Sequence, residues 1–555
     1  MNGLINLIIR LQMAWRGFAL WRPFVRQTRS PGAVQQAVLQ SILRRNRPTR
    51  FGQDHGFASI TSPQEYAARV PLQSYEDLRP YIEHQQNGNS GQLTTEDPIL
   101  FAQTSGTTGK AKYIPVLPRT VKQAKTNQRL FAHRLYSALP AVFQGKTLAF
   151  VSPAFEGVLP SGIPYGSMSG LIYRSMPWLL RRRYVIPSAV FECRDHEIKY
   201  ALIAAFAVAE ESVTLLAAAN PSTFLKLAEV IRSHLPALIA SVETGKLPGL
   251  ERLDETTSRV IEGAFKANPA RAQALKKIAA QEPPHFFSAL WPDLKAVSCW
   301  REGSCRVLLP ALGKLLNPEI PLLELGYLSS EARGSLPVDS LANREVPSLH
   351  ENYFEFVERT AWEAGRPEVQ SLAELEVGRA YYVILTTPAG LYRYFMNDVI
   401  RVDGRFEQTP TIKFVEKGAG VTNITGEKLY ESQVTEAVEA VLADMRVDAG
   451  FFLMVANEEQ QRYEFYLEAP EMSPNGFIEK LDTQIAARNL EFQAKRLSGR
   501  LHPTRLTLLR AGTSNAFKAH FVGQGQREAQ FKFVRLHTRA KLTFDLSAHC
   551  IESHP

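Results

Sequence analysis

Thr104-Ser105-Gly106-Thr107-Thr108-Gly109-Lys110, followed at once by Ala111-Lys112-Tyr113-Ile114-Pro115, is the stretch on which the reading of this chain turns. A loop dense in Gly, Ser and Thr with lysines close behind suits a polyphosphate. Glycines admit anionic oxygens to backbone N–H groups, hydroxyls add donors, and a lysine neutralises charge. The spacing is not that of a Walker loop, because Gly106 is followed by only two residues before Gly109-Lys110 and that pattern needs more. Nor does it read Gly-x-Gly-x-x-Gly, the dinucleotide fingerprint. A short Gly/Ser/Thr run is by itself equally an ordinary polar surface loop, so the rest of the chain must decide.

With 555 residues the chain exceeds what one core organises and implies two or more domains. Its 45% hydrophobic and 21% charged residues belong to a globular protein and exclude a disordered one. Cys193, Cys299, Cys305 and Cys550 are scattered. They form no Cys-x-x-Cys pair of a metal site, so inert, reduced thiols of a cytoplasmic protein are expected. The net charge of +9 is local. Nine arginines (Arg10, Arg16, Arg22, Arg26, Arg29, Arg44, Arg45, Arg47 and Arg50) precede the first acidic residue, Asp54, and the remainder of the chain is balanced. No nucleic-acid-binding motif accompanies the excess, so no nucleic-acid partner is expected.

Residues 1–30 combine those first arginines with Leu4, Ile5, Leu7, Ile8, Ile9, Leu11, Met13, Trp15, Phe18, Leu20, Trp21 and Phe24. Arg10, Arg16 and Arg22 interrupt the apolar run too often for a membrane span, and no signal-peptide cleavage pattern follows it. A basic amphipathic helix with tryptophans has two placements open to it: against an anionic membrane surface as a peripheral contact, or packed on the body of the protein. Packing is the preferred expectation.

Beyond residue 30 the pattern alternates. Ala33 to Arg45 predicts a helix, and Ser62-Pro63-Gln64-Glu65 opens another with a capping start. Thr147 to Val151 and Val213 to Ala218 predict buried strands; Ser222 to His234, Pro236 to Thr244 and Pro269 to Gln281 predict helices, the last two with proline at the first position. Pro321 to Leu325, Tyr381 to Thr386 and Thr411 to Val415 predict later strands. Strands interleaved with helices indicate an α/β protein with mostly parallel sheets. After about Lys417 the pattern restarts. Helices at Glu431 to Asp444 and Gly476 to Arg488, with strands at Ala449 to Val455, Arg462 to Leu467 and Arg505 to Leu509, describe a smaller α+β domain. The expected division is 1–30 as the basic segment, 31–416 as the large domain and 417–555 as the small one.

Three later motifs join the opening loop: Gly326-Tyr327-Leu328-Ser329-Ser330-Glu331; Gly390-Leu391-Tyr392-Arg393-Tyr394 running on to Asn397-Asp398; and Lys417-Gly418 with Asn423-Ile424-Thr425-Gly426-Glu427. In this order and at these separations they resemble the adenylate-forming superfamily of acyl-CoA synthetases, adenylation domains and luciferases. Within it the chain resembles the plant auxin-responsive (Gretchen Hagen) acyl-acid amido synthetases and their bacterial relatives. That likeness rests on Thr49-Arg50-Phe51-Gly52, Val70-Pro71-Leu72, Tyr75-Glu76-Asp77-Leu78, the Tyr-x-Ser-Ser-Glu form of the second motif, and Gly390 to Tyr394. It covers most of the chain from about residue 35.

The resemblance implies a large ATP- and acyl-binding domain and a mobile small domain that swings about a hinge near Lys417. It also implies a ligase using ATP and Mg²⁺. A carboxylic acid is adenylated with loss of pyrophosphate, and the acyl group then passes to an amine, an amino acid being the expected acceptor. Thioester formation with coenzyme A, and a non-catalytic nucleotide-binding role, are the rival readings. Thr104, Ser105, Gly106, Thr107, Thr108, Gly109 and Lys110 would hold the phosphates. Tyr327 offers a flat face for adenine; Ser329 and Ser330 offer donors, Ser330 toward the α-phosphate; Glu331 is a hard oxygen ligand for the metal; and Asp398 offers two oxygens to the ribose hydroxyls. Lys417 would contact the nucleotide or act as the hinge. Gln526 to Arg535 is similar to the family's Asn-Gln-Tyr-Lys-x-x-Arg segment, which assigns the catalytic lysine to Lys532, with Lys518 as second choice. The acid pocket is expected from Leu215 to Phe224 and Trp300 to Ser304, where Arg301 could pair with an acidic substrate group or a structural partner. Ala332-Arg333-Gly334 and the Thr-Ser-Gly-Thr-Thr-Gly-Lys loop depart from the plant pattern, which leaves both substrates open.

Overall fold

The computed structural model describes residues 2–104, 111–363, 365–418, 421–447, 449, 451–469, 472, 475–523 and 535–554. The chain divides into two compact units, Met1–Gln103 with Tyr113–Glu416, and Thr104–Lys112 with Lys417–Pro555.

In the first unit the strands Lys146–Ala149, Val213–Ala217, Ala296–Cys299 and Leu322–Glu324 lie side by side in sequence order, every pair parallel. Parallel neighbours need helical crossovers. His196–Ala209 lies in the first crossover, Ser222–Thr244 and Pro269–Gln281 in the second and the short Leu309–Gly313 in the third, and they bury a continuous apolar cluster with these strands. Trp291 is fully buried there, and its indole N–H donates to the carbonyls of Ala207 and Glu210, both at 3.0 Å.

Two sequence expectations change here. Pro236 does not open a second helix: Ser222–Thr244 is one helix with Pro236 inside it. Phe224, Leu227, Ile231, Leu235, Leu238 and Val242, all buried, keep one helical face apolar straight through the proline. Packing of that face outweighs the roughly 3 kcal/mol that an interior proline costs. Parallel pairing is also narrower than the alternating pattern suggested. The five strands Val369–Ser371, Tyr353–Glu358, Ala380–Thr386, Tyr394–Phe406 and Thr409–Lys417 form a second sheet in that order, antiparallel in every pair from Val369–Ser371 to Tyr394–Phe406.

That sheet meets the N-terminal helices at Arg393, which is ion-paired with Glu355 of the sheet and bonded to the helical segment. Arg393 donates from Nε to both Glu355 oxygens at 3.0 and 3.1 Å, and from Nη1 to the carbonyls of Ala67 and Val70 at 2.8 and 2.7 Å. Both side chains are almost wholly buried. Beside it, the Tyr392 ring stacks on Phe51 with 4.6 Å between centroids, and its hydroxyl donates to the Leu93 carbonyl. Sequence cues some 340 residues apart therefore meet in one core, and they meet for packing rather than chemistry.

In the second unit the sheet order is Leu536–Thr538, Phe451–Asn457, Arg462–Glu468, Arg505–Leu509 and Cys550–His554. One apolar cluster takes in Val434, Val438 and Val441 of Glu431–Met445 and Leu481 and Ile485 of Phe477–Arg488. The other contains Phe517 of Thr513–Gly523. The α+β expectation holds. The Asn423 to Glu427 motif is a stapled turn: the buried Glu427 carboxylate accepts from the Ile424 and Thr425 amides, both at 2.7 Å, and from the Tyr463 hydroxyl at 2.7 Å.

Removing one partner of a buried pair strands the other charge. Arg393→Met is expected to cost about 3–5 kcal/mol, read as a lower urea midpoint, and Arg393→Met with Glu355→Leu should recover part of it. An unchanged midpoint in the single variant would contradict this role.

Candidate active site

The carboxyl ends of the parallel strands converge. The Ala218 amide donates to the Ser298 carbonyl (3.1 Å), Trp300 to Ala219 (2.8 Å) and Leu325 to Cys299 (3.1 Å), while the Trp300 indole N–H reaches the Gly326 carbonyl at 3.1 Å. Segments expected to line the acid pocket, Leu215 to Phe224 and Trp300 to Ser304, thus lie along the edge where open α/β sheets bind ligands.

The Tyr327 motif leaves the same edge as a tight hairpin. Gly326 has φ +105°, a conformation open to glycine. Gly334 donates to the Tyr327 carbonyl at 2.7 Å and Ser329 to the Ala332 carbonyl at 2.9 Å, which closes the loop. Ser330 stands exposed at its tip, with Ser329 and Glu331 half-buried on either side. Below the tip, the half-buried Tyr327 ring lies nearly parallel to Phe414, 6.0 Å between centroids. A β-carbon on Gly334 would come within 2.2 Å of the Tyr327 ring, so only glycine lets the ring lie where it does.

Asp398 is brought to this ring from the antiparallel sheet. The pairing of Ala380–Thr386 with Tyr394–Phe406 shifts register between Tyr382 and Ile384, and Asn397 within the bulged stretch has φ +52°. Bulges re-aim side chains. The buried Asp398 carboxylate accepts from the Tyr327 hydroxyl at 2.7 Å. Burial first, then the Asp398 charge, hold the Tyr327 phenol well above its ordinary pKa, so it remains the donor. The second and third motifs are therefore one hydrogen-bonded unit, a contact that spacing along the chain did not reveal.

Beneath them lies a group of residues that sequence reading missed. Glu324 accepts from the amides of Arg301 (2.8 Å) and Gly326 (3.0 Å). The Tyr327 amide donates to Ser335 Oγ at 2.7 Å, and Ser335 donates to Glu345. Arg333 spans the loop, donating to the Ser335 and Leu325 carbonyls, both at 2.9 Å. Burial, and then the neighbouring Glu324 charge, push the Glu345 carboxyl up to about 8; burial also raises Glu324. Glu324 ends the observed strand Leu322–Glu324, lies within the predicted one and adjoins the motif, so position marked it. Glu345 lies on Arg344–Pro347, and no local signal points to it.

Ser105 to Lys110 and Lys532 lie outside the described residues. Thr104 ends the strand Leu100–Thr104, whose sheet neighbours are Lys112–Val116 and Pro164–Gly166. Lys417 ends the strand Thr409–Lys417, and Lys518 lies on the helix Thr513–Gly523. Among the described residues no group of three or more His, Cys, Asp or Glu side chains could hold a metal.

Family models match three successive stretches: the GH3 family N-terminal domain over residues 21–322, its central domain over 346–417 and its C-terminal domain over 432–541. The chain belongs to the GH3 family. It is 28% identical over 427 residues to the indole-3-acetic acid-amido synthetase GH3.15 of Arabidopsis thaliana, covering 73% of this chain and 71% of that protein. It is 24% identical to the indole-3-acetic acid-amido synthetase GH3.8 of Oryza sativa subsp. indica, covering 95% and 92%. Among solved structures, the AtGH3.15 acyl acid amido synthetase in complex with 2,4-DB superposes with a TM-score of 0.67 at 22% identity, covering 96% of each chain. This GH3 protein is a ligase of the acyl-acid amido synthetase class with the adenylate-forming fold.

Two outcomes follow from this geometry. Gly334→Ala should displace the Tyr327 ring and, on the expectation that this ring faces adenine, weaken ATP binding at least tenfold with little change in melting temperature, measured by calorimetric titration; unchanged affinity would contradict that expectation. The folded state holds a proton on Glu345 that the unfolded chain releases near its ordinary carboxyl pKa. Stability is therefore present below that value and falls as pH rises toward about 8. Urea midpoints at acidic and mildly alkaline pH should show a smaller decline in Glu345→Gln than in the wild type, and parallel declines would contradict the assignment.

Proposed function

We propose that this GH3 ligase binds ATP on the Tyr327–Asp398 unit and activates a lipophilic carboxylic acid at the carboxyl edge of the parallel sheet. The observation that carries this reading is the 2.7 Å hydrogen bond joining Tyr327 to Asp398, which sets an aromatic face beside a buried carboxylate. Such a pair suits a purine and a ribose hydroxyl. One Asp398 oxygen accepts from Tyr327, and because each carboxylate oxygen can accept more than one hydrogen bond, the carboxylate is proposed to accept from the ribose hydroxyls as well. The residues present also fit Mg²⁺. A single carboxylate, Glu331, at the tip of a loop is enough for an ion that keeps waters and takes substrate phosphates as its other ligands. When bound, that ion would neutralise charge developing on the phosphates.

The chemistry then runs in two halves. A carboxylate oxygen of the acid attacks the α-phosphorus, the bond to the β-phosphate breaks, and pyrophosphate leaves. Ser330 donates to the α-phosphate, and Thr104 to Lys110 cradle the departing phosphates with backbone N–H groups, hydroxyls and the Lys110 charge. Lys532, with Lys518 as the alternative, is proposed to offset negative charge at the reacting carboxylate and α-phosphate. An amine next attacks the acyl carbonyl, AMP leaves, and the amine gives up a proton as the amide forms. An amino acid is the proposed acceptor, and Lys417, at the junction of the two units, the proposed hinge between the halves.

The names of the relatives, which specify indole-3-acetic acid and 2,4-DB, support an aryl, aryloxy or indolyl acid. Four free cysteines, three of them buried, support a reducing, cytoplasmic setting. No helix of the described residues is long and apolar enough to cross a membrane.

The test is pyrophosphate release from Mg·ATP across aryl, indolyl and fatty acids, with hydroxylamine as acceptor and then with amino acids or coenzyme A. Acid-dependent pyrophosphate, and an amide rather than a thioester, are expected. Glu331→Ala and Lys532→Ala should each lower turnover about a hundredfold or more, Lys532→Ala with ATP affinity retained. Wild-type rates in both variants would overturn the assignments.

A further inference from the structure

The N-terminal segment is anchored to the body through one face and leaves its most apolar face in solvent. The helices Asn2–Arg16 and Arg22–Thr28 are joined by the wide helical turn Gly17–Trp21. On the inner side Met13 and Arg16 are buried, and His133 Nδ1 donates to the Met13 carbonyl at 3.1 Å. Trp21 packs near His133 and Phe406, with the Arg134 guanidinium 4.4 Å from its ring centre, and Phe24 is buried in the core. The expectation of packing is met on this side.

On the outer side Leu7, Ile8, Leu11, Trp15 and Phe18 are between 51% and 68% exposed. The steps 7, 11, 15, 18 follow one helical face. Five large apolar side chains in one stripe form an exposed patch of the kind that marks an interaction site. Folding does not account for it, because the segment already has its packing face.

Charge identifies what covers the stripe. Arg22 lies four residues beyond Phe18 and holds its guanidinium 5.6 Å from the Phe18 ring centre, so the stripe passes directly into positive charge. Arg26 follows four residues later, and Arg10 flanks the stripe; all three are exposed. Among the described residues Arg29, Arg45 and Arg50 have acidic partners, whereas no ion pair takes up Arg10, Arg22 or Arg26. No acidic residue occurs before Asp54, so a second copy seated on this face would bring like charges together around a shared apolar seam. An apolar stripe with a tryptophan, bordered by unpaired arginines, is complementary to an anionic lipid surface. There the side chains enter the headgroup boundary and the guanidinium groups meet phosphates.

We propose that residues 7–26 form a membrane-docking helix that seats this enzyme peripherally on an anionic bilayer. The inference is independent of the acid and amine the ligase uses.

The test is co-sedimentation of the full-length protein with vesicles of phosphatidylcholine alone or with roughly one-third phosphatidylglycerol. Sedimentation with the anionic vesicles at low salt, weakened by about 0.5 M salt and slight on neutral vesicles, is the expected result. The triple variant Leu11→Ser, Trp15→Ser, Phe18→Ser should lose more than tenfold in partitioning. Arg10→Ser, Arg22→Ser and Arg26→Ser should each lose about fivefold. All are expected to keep wild-type melting temperature and vesicle-free pyrophosphate release, because these side chains face solvent. Wild-type protein left in the supernatant with anionic vesicles at low salt would overturn the proposal, as would a stripe variant that sediments like wild type. Concentration-dependent dimerisation abolished by the stripe variant, without vesicle binding, would assign the face to a second copy and equally overturn it.

Discussion

A guanidinium buried among carbonyls is the constraint on which the large unit depends. Arg393 cannot lose its charge, so once it is taken from water its donors must be satisfied. Glu355 and the carbonyls of Ala67 and Val70 do this from two separate stretches of chain. The antiparallel sheet and the N-terminal helices can therefore associate in one register only. Arg393 itself has φ +45° and stands at the head of Tyr394–Phe406, the strand that carries Asp398. Satisfying the guanidinium thus sets where that strand begins, and the bulge at Asn397 sets which way its carboxylate faces.

A second constraint operates under the Tyr327 loop. Two carboxyl groups, Glu324 and Glu345, sit close together in a low-dielectric place where both cannot readily ionise. Glu324 accepts from the Gly326 amide, and the Ser335 hydroxyl and Glu345 accept from the Tyr327 amide. The loop is preorganised by its own support, so Tyr327 need not be ordered by nucleotide. The cost of that rigidity is a buried acid that resists alkaline pH poorly.

The family-defining motifs divide into those that shape the fold and those proposed to face a ligand. Phe51 with Tyr392, Arg393, and Glu427 with Tyr463 are packing and hydrogen-bonding solutions. Tyr327, Ser330 and Glu331 leave the carboxyl edge of the parallel sheet, and Asp398 reaches Tyr327 from the antiparallel one. The N-terminal helix belongs to neither group: its inner face is part of the core and its outer face is exposed.

Much was determined by the sequence alone, because the signals are local. Alternating apolar runs and capped helices indicated the α/β body and the smaller α+β domain, and four ordered motifs indicated nucleotide and acid chemistry. A basic amphipathic segment with tryptophans at residues 1–30 was equally visible. Where tertiary packing overrides a local rule, the reading failed: Pro236 suggested a helix start, yet a buried stripe on both sides of it keeps Ser222–Thr244 whole. What spacing along the chain did not reveal was every contact made across distance. The Tyr327–Asp398 hydrogen bond depends on a bulge in a remote strand, and the raised Glu345 on burial beside Glu324. Which face of the N-terminal helix packs and which stays in water was likewise decided by His133, Arg134 and Phe406, residues that no local pattern links to it. Local propensity and motif order are properties of neighbouring residues; burial, charge coupling and exposure are properties of the folded chain.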